Sequence, residues 1–76
     1  MNYIVGSRYP KTGDHVKVIE KQNYGNGVLT DGFVQDVLTH SQFHPRGHKV
    51  RLTSGIIGRI QEFVSDAMQE PNTDVV

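Results

Sequence analysis

The 76-residue chain contains no cysteine, which excludes disulfides, thiolate zinc sites and cysteine nucleophiles together. It has no apolar run approaching the roughly 18 residues that a membrane-spanning helix needs. Its start, "MNYIVGSRYP", lacks the charged head, apolar centre and cleavage site of a secretory signal. These absences lead us to expect a soluble, cytoplasmic, monomeric protein with no membrane contact. There is no GxxxxGK[ST] phosphate loop and no nucleophile-elbow pattern, so the residues nominate no catalytic group and no cofactor. A chain this short is one domain at most, and it buries only about 60% of its unfolded surface. Packing alone must hold it.

Acidic residues are missing where they would matter most. Eight Lys and Arg balance eight Asp and Glu overall. Yet no acid lies between Val37 and Gln61, while Arg46, Lys49, Arg51 and Arg59 stand within that span. From Glu62 onward the order reverses, with Glu62, Asp66, Glu70 and Asp74 and no base. Such polarity carries more information than a net charge of zero. A cationic face suits an anionic partner, although two solvated faces of opposite sign would explain it too.

What is present reads as β-structure. "HVKVIEKQ" alternates, with Val16 and Val18 on one side and Lys17 on the other. "NYGNG" follows as a hairpin loop, and its closing Asn-Gly is a strong turn signal. "VLTDGFVQDVLT" is β-branched and aromatic, with Gly32 in its interior where a bulge or bend is expected. "KVRL" puts Val50 and Leu52 inward and Lys49 and Arg51 outward. "IIGRIQEFV" fits a strand to about Phe63, although Ile57, Ile60, Val64, Ala67 and Met68 also fit a helical stripe. Short strands joined by Gly-rich turns predict an all-β fold, a small antiparallel barrel of four to five strands. We expect a flexible arm over 1–11, a barrel over 12–66 and an acidic, disordered tail over 67–76.

"THSQFHPRGHKVRL", from Thr39 to Leu52, holds His40, His44 and His48 four residues apart. On a helix this spacing would stack three imidazoles as zinc ligands. Pro45 and Gly47 break any such helix, and no local carboxylate assists, so we expect no metal. Ser41, His44 and Asp36 are residue types found in catalytic triads, but in a loop they are more often turn-forming groups. The reading that uses most of the segment is nucleic-acid contact. Arg46, Lys49, Arg51 and Arg59 would meet phosphates. His44 and Phe43 would shape the loop or stack on a base, with Tyr24 a second aromatic in the other loop. Phe43 as a core plug is the plainer alternative. A protein-interaction module that binds a peptide or larger assembly through a loop or strand edge is the competing function.

The stretch Gly13–Gln61 resembles the YwbE family of small bacterial proteins. The resemblance rests on a GDxVxVI strand, a KQ-x-YG-x-G-x-LTxG hairpin, V-x-DVLT-x-S-x-x-HP-x-G-x-KVRL and a closing G-x-x-GR[VI]Q. It marks Gly32, Leu38, Thr39, Ser41, His44, Pro45, Gly47, Lys49, Val50, Arg51, Leu52, Gly58 and Arg59 as characteristic positions. It implies no biochemical role. Its pattern has Asn where this chain has His40 and an aliphatic residue where it has His48, so both histidines are expected to matter little. The hairpin order is also similar to SH3-like barrels of the KOW type found in ribosomal and transcription proteins, which is a likeness of fold alone.

Overall fold

The computed structural model describes residues 3–64. Four antiparallel strands, β1 (His15–Ile19), β2 (Leu29–Val37), β3 (Lys49–Leu52) and β4 (Ile57–Phe63), close a small SH3-like barrel in the order β1-β2-β3-β4, with β4 returning to β1. Every strand has two partners, so closure leaves less open edge than a flat four-stranded sheet would expose. Among the described residues no helix is long and apolar enough to cross a membrane.

The period-two pattern accounts for the core. Val16, Val18, Val34, Val50, Leu52 and Ile60 are fully buried, each contributing roughly 1.5–3 kcal/mol by leaving water. Their outward neighbours pair across the strands, as Lys17 with Asp31 and Asp36 with Arg51. β4 is a strand because Ile60 faces Val18 inside the barrel and Arg59 faces Ile19 outside. The helical alternative fails over the described part of this segment, and Ala67 and Met68, like the expected acidic tail, lie outside the described residues.

Two details differ from the sequence expectation. Gly32 keeps regular register opposite Val16. Its missing side chain makes room for Leu52, whose Cδ1 would lie 2.7 Å from a Cβ at that position. The irregularities fall instead between Val34 and Asp36, and on β4 opposite the Lys17–Val18 step. In addition, the β1–β2 connection is longer than a tight Asn-Gly hairpin: a 3₁₀ turn at Lys21–Asn23 precedes the glycines.

The described part of the segment expected as a flexible arm, residues 3–11, packs on the barrel. Tyr3 lies against the core and meets Phe63 edge-on at 5.0 Å. Arg8 covers the same Phe63 ring at 4.1 Å. Pro10 is fully buried. Aromatic rings and a proline anchor this arm at small conformational cost, which polarity and one Pro do not reveal.

Candidate nucleic-acid interface

The connection between β2 and β3 is a built loop. Leu38 and Thr39 both donate backbone N–H groups to the Lys49 carbonyl, and the Thr39 hydroxyl accepts from the Lys49 N–H at 2.9 Å. His44-Pro45-Arg46-Gly47 then forms a β-turn closed by Gly47 N–H to the His44 carbonyl at 2.9 Å. Pro at the second position and Gly at the fourth suit this turn. The His44 ring completes it, its Nδ1 accepting from the Arg46 N–H at 3.2 Å. Gly47 adopts φ +97°, and a Cβ there would collide with the Ile60 carbonyl. The turn therefore lies directly on β4.

Side chains from β4 fix the turn in place. Arg59 donates Nη1 to the Gly47 carbonyl at 3.0 Å. Gln61 donates Nε2 to the Arg46 carbonyl at 3.1 Å. Gln61 can do so because it is the extra residue where β4 slips against β1: Lys17 faces Glu62 while Val18 faces Ile60. A bulge re-aims the side chain it carries.

His48 is the anchor below. It is 0% exposed, and its Nε2 donates to the carbonyls of Ser41 at 2.9 Å and Gln42 at 3.2 Å. Both partners only accept, so Nε2 carries the proton. Nδ1 is buried with no partner among the described residues. Tyr9 covers the ring edge-on at 5.2 Å. The expectation that His48 matters little is corrected: it is a core residue that ties the loop to the barrel. His40, by contrast, is exposed. Among the described residues no three His, Asp or Glu side chains group as metal ligands would.

Between the turn and Tyr24 of the Glu20–Val28 loop lies an open cavity of about 350 Å³ lined by Ile19, Tyr24, Arg46, Arg59 and Gln61. Two of the nominated cations, Arg46 and Arg59, are thus brought together. Lys49 is directly opposite Arg59 in the β3–β4 register, so a third positive charge adjoins them. Arg51 differs: it donates to Asp36 at 3.0 Å and is part-neutralised. Among the described residues, the ion pairs formed are His15 and Lys17 with Asp31, and Arg51 with Asp36, leaving Arg46, Lys49 and Arg59 without a carboxylate partner. Desolvation, and then the positive charges of Arg59 and Arg46, depress the His44 pKa below its ordinary value.

Phe43 is exposed at 55%, which overturns the core-plug alternative, but it does not line the cavity. Tyr24 does, and so does Gln61. Tyr24 had a legible signal as an aromatic in the facing glycine-rich loop. Gln61 had none, because its aim depends on a register slip.

A family model described as "Uncharacterized conserved protein (DUF2196)" matches residues 8–63. The chain is also 51% identical over 53 residues to the uncharacterized protein YwbE of Bacillus subtilis strain 168, covering 70% of this chain and 82% of that one. The chain belongs to the YwbE family. The YwbE-family match begins at Arg8 and so takes in Tyr9 and Pro10, the part of the arm that covers His48 and packs into the barrel. It ends at Phe63, the last residue of β4. The HPRG turn and the GRIQ of β4, which hold each other, both fall inside it. No solved structure matches the chain significantly.

Proposed function

We propose that this YwbE-family chain is a cytoplasmic, non-enzymatic module that binds RNA or another single-stranded nucleic acid through the face formed by the His44–Gly47 turn, β3 and β4. The observation that carries the reading is the convergence of Arg46, Lys49 and Arg59 from three separated positions, with no carboxylate partner among the described residues. Three cations of one sign on adjacent elements repel one another, and an anion with repeating charge relieves that repulsion. Tyr24 lines the same cavity as Arg46 and Arg59, and Phe43 is exposed on the loop that carries Arg46, which supplies the aromatic faces that base stacking on a sequence-tolerant surface requires. Arg51 joins the face as a weaker contributor because Asp36 competes for it.

The closed barrel also bears on the competing reading. Peptide capture by strand addition needs an unpaired edge, and the closed strand order limits such edges to stretches such as Leu29–Gly32, which pairs with β1 alone. The test is an amide-resolved NMR titration of the full chain with a short single-stranded RNA at low salt. Binding shifts the amides of Arg46, Lys49 and Arg59 first. Absence of shifts at millimolar RNA refutes the proposal, and shifts produced instead by an uncharged peptide pool favour protein interaction.

A further inference from the structure

The cavity beneath the turn has a shape and a chemistry that the cationic face alone does not need. Its volume of about 350 Å³ falls within the range of small-molecule sites, roughly 300–1,000 Å³. Its wall divides by chemistry: Arg46 and Arg59 supply guanidinium groups, Tyr24 an aromatic face and Ile19 an apolar one. Among the described residues no carboxylate lines it. Arg59 commits its Nη1 to the Gly47 carbonyl, so its positive charge and its remaining guanidinium hydrogens are what it offers a ligand. The Gln61 amide nitrogen is spent on the carbonyls of Arg46, Arg59 and Ile60, so the group it leaves for a ligand is its oxygen, an acceptor.

We infer that this cavity is a subsite for one nucleotide of a single strand, splayed from its neighbours. Its phosphate lies against Arg46 and Arg59, and its base stacks on Tyr24 over Ile19. The inference rests on the nucleic-acid reading and adds to it a defined position for one base. Guanidinium groups match phosphate oxygens in a planar fork. Tyr24 is half exposed on a loop held by the Asn26 side chain, which accepts from the Val28 N–H at 2.9 Å. It can therefore stack without unfolding the barrel.

The experiment uses the full chain, a short single-stranded RNA, adenosine monophosphate and adenosine. Tyr24→Ala weakens RNA binding about tenfold, and Tyr24→Phe, which keeps the ring, stays within about twofold of the parent. Adenosine monophosphate shifts the amides of Tyr24, Arg46, Arg59 and Gln61, and adenosine does so far less. If Tyr24→Ala binds RNA as the parent does while Lys49→Ala weakens it, the subsite is wrong and the cationic face stands. If the parent binds no RNA, both fall.

Discussion

Replacing His48 by alanine removes a side chain with no exposed surface and two hydrogen bonds at once. The cost has two parts. Deleting a buried side chain of this size leaves a cavity, and the Ser41 and Gln42 carbonyls lose their shared donor. Comparable large-to-small changes cost about 2–5 kcal/mol, and a buried polar group left unpaired about 1–3. The loop lies near the surface, so water can reach the freed carbonyls, and we take a total of about 3 kcal/mol. For a domain of this size that lowers the melting temperature by roughly 12–24 °C. His48→Leu keeps most of the volume and removes the unpartnered Nδ1, so it should cost only about 1 kcal/mol. His40→Ala, at an exposed position four residues from the turn, should fall within about 0.5 kcal/mol. Thermal and denaturant unfolding of the three variants measures all of this. A His48→Ala protein melting within a few degrees of the parent would refute the anchoring role.

Other outcomes follow from the same geometry. Gly47→Ala forces a left-handed residue against the Ile60 carbonyl and should cost more than about 2 kcal/mol, whereas Gly13→Ala, at φ +95° in open space, should cost only about 1–2; equal losses in denaturant unfolding would contradict the close approach. The depressed His44 pKa means that the unfolded chain takes up this proton first as pH falls below the ordinary 6.5. Its contribution to stability is complete above that pH and declines below it, so the parent-minus-His44→Gln stability difference should shrink from pH 7.5 to 5.5, and growth would contradict the sign. Asp36→Asn releases Arg51 at a stability cost under about 1 kcal/mol, and by adding one phosphate contact it should steepen the salt dependence of RNA binding by about 0.7. An unchanged slope would place Arg51 off the binding face.

Much of the barrel was readable from residue order because its strands keep period two. "KVRL" became β3 residue for residue, since its inward aliphatics and outward cations leave no other face to bury. Where the account departed from the sequence, a three-dimensional cause intervened. Gly32 was expected at a bend, but its bare backbone serves Leu52 on another strand. The arm was read as loose because its anchors, Tyr3, Tyr9 and Pro10, have no periodicity. His48 is expected to matter little because it departs from the family pattern. The aliphatic residue that the family pattern has there was in fact the signal of a core position, which imidazole fills by donating to two carbonyls. At the candidate interface, the cations and the HPRG turn were legible as types. Their convergence with Tyr24 and Gln61 required the closed barrel and a register slip that no local pattern encodes.

The central claim is that Arg46, Lys49 and Arg59 neutralise phosphates of a single strand. The most direct measurement is the affinity of the full chain for a short single-stranded RNA between 50 and 200 mM salt. Three contacts predict a log–log slope of about −2, or roughly an 18-fold loss of affinity across that range. Lys49→Ala, at an exposed position whose side chain forms no ion pair among the described residues, should reduce the slope to about −1.4. A parent affinity that is independent of salt, or a Lys49→Ala slope equal to the parent's, would contradict the account.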